Sequence, residues 1–175
     1  MTRKRRSLAH GDYSSEINPA AEALAEDIGR RLIGGAALFI DYGFPAAEYY
    51  HPQRSDGTLM CHYRHRAHDD PFAWPGLTDI TAHIDFTAMA EAGERSGLHV
   101  TGFAALAPFL LGCGILDALA ATGAPESKAY IFAASAVQKL LAPSEMGELF
   151  KVLALARSDV IEWPGFTLAD RRHRL

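Results

Sequence analysis

Five apolar residues in a row, Ala36-Ala37-Leu38-Phe39-Ile40, follow the pair Gly34-Gly35 and run into Asp41-Tyr42-Gly43-Phe44-Pro45. The run does not alternate with polar residues, so it reads as a strand buried on both faces. That is the pattern of a parallel sheet covered by helices. In open α/β sheets ligands gather at the carboxyl ends of strands. Asp41 and Tyr42 are therefore placed for chemistry, with a plain strand-ending turn as the alternative.

The elements around this strand fit an α/β order. Asn18-Pro19 opens a helix, with Ala20, Leu24, Ile28 and Leu32 as its apolar face and Gly34-Gly35 as its stop. Residues 45–79 form a long aromatic excursion, of the kind that is functional or disordered. A short strand is expected over residues 80–84, then a helix capped by Asp85 and closed by Gly97. A strand at 98–103 follows, then an apolar helix at 108–121 and a helix at 127–141. Another strand is expected near 149–155 and a last one near 166–168. Residues 1–14 read as a mobile basic and polar arm.

Charge and length exclude several classes. The first six residues carry +4 and the last six +2, leaving −10 between them in a chain of 175 residues with net charge −4. A nucleic-acid binder needs a basic face, which this distribution does not offer. The longest uncharged apolar run, 103–116, is shorter than the ~20 residues of a membrane span. Two cysteines make no disulfide framework. With no apolar segment after the basic head, a cytoplasmic protein is expected.

The densest polar cluster is Cys61-His62-Tyr63-Arg64-His65-Arg66-Ala67-His68-Asp69-Asp70. His62, His65 and His68 stand three apart. On a helix they would spread too widely for all three to share a metal, and the interleaved arginines oppose a cation. A polar wall that positions a substrate, paired with Asp69 and Asp70, and simple structural hydrogen bonding stay open beside the metal reading. Cys61 and Cys113 are nucleophile candidates by type only. Tyr49 and Tyr50 can line a pocket. No nucleophile elbow and no phosphate loop occurs.

From Ser15 onward the chain resembles the C-terminal part of the MidA-type methyltransferases. The likeness rests on Ser15-Glu16-Ile17-Asn18-Pro19, Phe39-Ile40-Asp41-Tyr42-Gly43, Gly57-Thr58-Leu59, His65-Arg66-Ala67-His68-Asp69 and the run from Pro75 to Phe86. Gln138-Lys139-Leu140-Leu141 and the run from Met146 to Val152 extend it. Residues 1–10 match nothing in that family. The resemblance implies an α/β class I, Rossmann-like methyltransferase fold whose first strands and S-adenosylmethionine loop are missing here. A partial domain then fills 15–175, with strands five, six and seven at 36–41, 98–103 and 149–156. Strand seven is slotted between the other two, and 45–85 is an inserted substrate-side region.

The implied reaction is methyl transfer from S-adenosylmethionine to a protein arginine, in the mitochondrial members on a respiratory complex I subunit. Arginine chemistry needs carboxylates to orient the guanidinium and take its proton. Asp41, Asp69 and Asp79 are the catalytic candidates of the right type. Tyr42, Tyr50, Arg64, His65 and His68 are assigned to the substrate side. No residue for cofactor or metal is carried over, and cofactor binding by this chain alone is not expected. A non-catalytic interaction module and, last, a His/Cys metal or thiol enzyme are the other readings. Without strands one to four, one edge of strand five stands open, so the chain is expected to self-associate, be marginally stable, or need a missing N-terminal half.

Overall fold

The computed structural model describes residues 13–159 and 161–175. The arm expected over 1–14 therefore lies outside the described residues except at its end, where the Ser14 N–H donates to the Ser55 carbonyl at 2.7 Å. A helix α1 (Pro19–Arg31) leads into strand β1 (Ala36–Phe44). A short helix α2 (Ala46–Tyr49) and strands β2 (Met60–Tyr63), β3 (Arg66–His68), β4 (Asp79–Thr81) and β5 (Ile84–Asp85) follow. Then come α3 (Phe86–Arg95), β6 (His99–Ala105), α4 (Leu106–Gly112), α5 (Ile115–Ala120), α6 (Lys128–Leu141) and β7 (Phe150–Ala156).

Two sheets result, with orders β5-β1-β7-β6 and β3-β2-β4. β7 lies between β1 and β6 and is antiparallel to both, as the resemblance implies. Ile40 faces Val152 in one ladder, and Phe103 faces Leu153 in the other. β5 joins β1 in parallel, through Gly43–Ile84 and Phe44–Asp85 alone.

The sheet separates two apolar clusters. On one side α1 and α3 bury Ala25, Phe86, Met89 and Ala92 against Phe103, Leu153 and Leu155. On the other, α4 and the turn Pro164–Phe166 bury Phe109 and Phe166 against Ala104, Val152 and Ala154. Each large side chain so buried contributes about 1.5–3 kcal/mol. No helix among the described residues is long and apolar enough to cross a membrane.

Several expectations are corrected. β1 is not buried on both faces: Leu38, Ile40 and Tyr42 are 44%, 49% and 45% exposed. These three share one face, and the helices on that side lie over β6 and β7 rather than β1. The buried side of α1 runs through Ala21, Ala25 and Gly29, while Leu24 is exposed. Small residues are needed there because a Cβ on Gly29 would meet Ser96 Oγ at 1.8 Å.

The apolar helix expected over 108–121 breaks in two at Gly114, whose φ is +81°. The segment 166–168 is not a strand. Phe166 closes a 3-10 turn and lays its ring where a Gly102 Cβ would be, 2.1 Å from the nearest ring carbon. The single strand expected over 80–84 is two strands in two different sheets, with Ala82 and His83 between them. Asp85 caps α3 as expected, accepting the Ala88 N–H at 3.1 Å, and Ser127 caps α6, accepting the Tyr130 N–H at 3.1 Å.

Candidate functional site

The carboxyl end of β1 gathers the groups best suited to chemistry. Asp41 lies across from Lys151 in the ladder, and its carboxylate turns back to accept the Tyr42 N–H at 2.7 Å. Tyr42 packs on Phe150, ring centroids 3.9 Å apart, and meets the edge of His83 at 6.2 Å. Phe44, the last residue of β1, carries three partners. His83 stacks on it at 5.1 Å, the Arg54 guanidinium lies over its ring at 3.8 Å, and the Lys151 ammonium stands 5.6 Å from its centroid. Such cation–π contacts favour the charged heads beside an apolar wall.

His83 is half-buried in this group, and its neutral form is favoured. Burial is the largest cause, and the positive charges of Arg54 and Lys151 act the same way. Lys151 is itself buried, which lowers its pKa, and its ammonium donates to the carbonyls of Glu148 and, at 3.4 Å, Leu149. Ion pairs Glu148–Arg171 at 2.6 Å and Glu48–Arg174 bring the C-terminal arginines to the same end of the sheet.

A clasp fixes this end to the start of the described chain. The Glu16 carboxylate accepts from the Thr58 N–H at 2.9 Å, the Thr58 hydroxyl at 3.0 Å and the Leu59 N–H at 3.2 Å. The Thr58 hydroxyl in turn accepts the His83 N–H at 3.1 Å. Gly57 lies so close that a Cβ there would stand 2.3 Å from the Glu16 carboxylate, and its φ is +78°. A pocket opens beside the clasp, lined by Glu16, Asn18, Tyr49, Tyr50, His83 and Asp85 among others.

Burial raises the Glu16 pKa, but the hydrogen bonds from Thr58 and Leu59 outweigh it and hold the pKa below the usual carboxylate value. A depressed pKa adds stability above the unfolded value, about 4.3, that is lost as pH falls through the folded one. Replacing Glu16→Gln is expected to cost about 1–2 kcal/mol at pH 7 and to flatten the acid limb of a pH–stability curve followed by urea unfolding. An acid limb unchanged in the variant would contradict this account.

The excursion forms a small separate sheet. Residues β2 and β3 make a hairpin whose turn residues, Arg64 and His65, have φ of +48° and +63°. Cys61 faces His68 in this ladder, whereas His62 lies on the opposite face and His65 at the tip. The three histidines do not converge. Trp74 stacks on Tyr63 at 4.8 Å and meets His68 edge-on at 5.5 Å, and Arg64 stands 5.4 Å from the Tyr63 centroid. Neither ring nitrogen of His68 has a hydrogen-bond partner among the described residues.

Cys61 is buried. Burial and the nearby carboxylates of Asp70, Asp69 and Asp79 push its thiol pKa up, which disfavours the nucleophilic thiolate. Among the described residues no three His, Cys, Asp or Glu side chains form a metal-binding group.

The residues singled out in the sequence thus divide. Asp41 and Tyr42 stand at the end of β1, and Tyr50 lines the pocket beside them. Asp69, Asp79, Arg64, His65 and His68 belong to the satellite sheet and the loop after it. Three contributors lie outside that set: His83, Phe44 and the Glu16–Thr58 clasp. His83 stands two residues before the helix cap Asp85, the one signal of its place at a strand-to-helix mouth.

The described residues do not fit a cradle for S-adenosylmethionine. That site needs a glycine-rich turn from a strand into a helix, but β1 enters α2 through Pro45 and β6 enters α4 through Ala105.

Comparison with known proteins gives the context. A family model described as "Putative S-adenosyl-L-methionine-dependent methyltransferase" matches residues 1–104, so the head expected to match nothing lies inside the match. The chain is 33% identical over 148 residues to the Drosophila melanogaster protein arginine methyltransferase NDUFAF7 homolog, mitochondrial, covering 82% of this chain and 31% of that protein. It is 29% identical over 163 residues to the Danio rerio protein arginine methyltransferase NDUFAF7, mitochondrial, covering 89% of this chain and 34% of that protein. Both names are mitochondrial, which overturns the expectation of a cytoplasmic protein.

Two Burkholderia thailandensis crystal structures superpose closely. One, an uncharacterized protein, has a TM-score of 0.89 at 51% identity over 93% of this chain and 44% of that one. The other, described as a "likely methyl transferase" bound to S-adenosyl-homocysteine, has a TM-score of 0.91 at 50% identity over 95% and 43%. The chain therefore spans about a third of its curated relatives and less than half of the solved chains. With the family model matched over more than half its length and strand β7 inserted between β1 and β6, the chain belongs to the S-adenosylmethionine-dependent methyltransferase family of class I fold.

Proposed function

We propose that this chain serves methyl transfer from S-adenosylmethionine to a protein arginine, as the part of the catalytic domain that carries strands five to seven and the substrate side. The carrying observation is the close superposition, at 50% identity, on the structure with S-adenosyl-homocysteine bound. The arginine comes from the names of the curated relatives. In this reading Asp41 orients the guanidinium at the end of β1, with Tyr42 and Tyr50 as walls. Asp69 and Asp79, with Arg64, His65 and His68, guide the protein segment across the satellite sheet.

The reading makes a direct prediction. Calorimetric titration of the chain with S-adenosyl-homocysteine is expected to give no heat of binding. Adding the separately expressed remaining part of the Burkholderia protein is expected to restore binding and methylation of an arginine peptide. Asp41→Asn then lowers kcat about 100-fold, the low end of a positioned acid–base contribution. Micromolar binding by the chain alone would overturn the division of labour. Restored binding without methylation would favour the interaction module.

A further inference from the structure

The backbone N–H of His83 donates to the Thr58 hydroxyl at 3.1 Å, and one face of its ring lies on Phe44 with the planes 29° apart. Both contacts fix the ring without using its nitrogens. No hydrogen bond among the described residues occupies either of them, whereas His51 spends its Nδ1 on the Gln53 N–H at 3.2 Å. Tyr42 stands nearly perpendicular to the His83 ring, on the same face of β1 as Phe44. His83 also shares the pocket beside the clasp with Tyr50.

We propose that His83 is the proton acceptor of the reaction: a guanidinium laid against Tyr42 and held by Asp41 gives one N–H proton to the imidazole as it is methylated. The assignment rests on the methyl-transfer reading above. Charge balance requires such a group. A guanidinium and a sulfonium enter with one positive charge each. The guanidinium nitrogen bonds the methyl carbon, and the carbon–sulfur pair stays on the sulfur. Without loss of a proton, both charges would sit on the product guanidinium. The N–H proton therefore passes to a ring nitrogen, leaving a methylated guanidinium and an imidazolium, which returns the proton to water. A guanidinium is too weak an acid to lose its proton beforehand, so the acceptor must be in contact while the new bond forms.

The neighbours suit an acceptor. Arg54 and Lys151 share the Phe44 ring with His83, Asp41 acts on it from β1, and Glu16 stands behind Thr58. Tyr49, Tyr50 and Asp85 line its pocket. Burial and the two cations outweigh Asp41 and keep the ring neutral, the form that accepts. The same cations favour release of the proton afterwards. Asp41 remains the countercharge of the guanidinium.

The test uses this chain together with the separately expressed remaining part of the Burkholderia protein. His83→Gln is expected to lower kcat about 100-fold, with KM for the arginine peptide and the calorimetric affinity for S-adenosyl-homocysteine unchanged. An imidazolium cannot accept, so kcat/KM of the parent pair should fall as pH drops through the His83 pKa, below the ordinary histidine value. That pKa is read in the same sample by nuclear magnetic resonance, a comparison that needs no substitution. His83→Gln should lose this acid limb. Asp41→Asn, though slow, should keep it, moved further down because Asp41 no longer favours the imidazolium.

A methylating pair whose acid limb does not coincide with the His83 titration, or in which His83→Gln retains its kcat, overturns the assignment alone. So does a loss confined to KM or to S-adenosyl-homocysteine affinity, the mark of a structural role. A parent pair that does not methylate overturns the methyl-transfer reading and this assignment with it.

Discussion

Replacing Arg157→Ala is expected to destabilise the chain by about 3 kcal/mol. Arg157 follows β7 directly, and its guanidinium serves two helix ends at once. It donates to the Gly29 carbonyl and, at 2.9 Å, to the Leu32 carbonyl at the end of α1. It also donates to the Gly97 carbonyl at 3.0 Å and the Ser96 carbonyl at 3.5 Å at the end of α3. The last carbonyls of a helix have no partner within it, and a cation there also interacts favourably with the negative end of the helix dipole. Each charge-assisted bond contributes about 1.5–3 kcal/mol net, and water replaces some of them at this partly exposed position.

In a chain of this size 1 kcal/mol moves Tm by about 2–4 °C, so the melt should fall by about 6–12 °C at fixed protein concentration. Arg157→Lys keeps the charge but loses the planar fork, and should recover less than half of the loss. Amide exchange should quicken first at the last turns of α1 and α3. A melt within a degree of the parent would show that the two helix ends are held by packing alone.

The sequence made the central strands legible, because their apolar runs and the resemblance agree on order and direction. It misjudged what covers them. Ala36 to Ile40 looks buried on both faces because periodicity reports what a strand prefers to bury, not whether a neighbour is present. The satellite hairpin was hidden for a different reason. Tight hairpins advertise themselves with Asn-Gly or Asp-Gly, whereas here Arg64 and His65 take the positive φ values.

The motifs around Glu16 and Gly57 were visible as resemblances. Their contact, across 42 residues, is a tertiary fact that no local pattern carries. His83 was missed because the two residues between β4 and β5 have no period at all. Its importance comes from Phe44 and Tyr42 on β1 and from Thr58, which reach it from two other segments.

That convergence depends on one glycine, and Gly43→Ala should break it. An added Cβ at Gly43 would lie 2.3 Å from the Ile84 carbonyl oxygen and 2.7 Å from the Phe86 ring. Neither neighbour can give way cheaply. The carbonyl is backbone in the only parallel pairing of β1 among the described residues, and Phe86 is fully buried at the head of α3. Overpacking of this kind costs about 1–3 kcal/mol, and a clash with backbone on one side puts the expected loss near the upper value.

The measurable consequence at the site is larger than the loss of stability. β5 must move away from β1, and His83, the residue before it, moves off Phe44. The His83 ring protons should lose their aromatic ring-current shifts. As its surroundings hydrate, its pKa should climb back toward the ordinary histidine value, followed by nuclear magnetic resonance titration. Gly34→Ala is the control, since nothing lies within 4 Å of a Cβ there. It should change stability by less than about 1 kcal/mol and leave the His83 titration where it was. Equal losses in the two variants would mean that glycine matters at Gly43 for backbone freedom rather than for the close approach of β5.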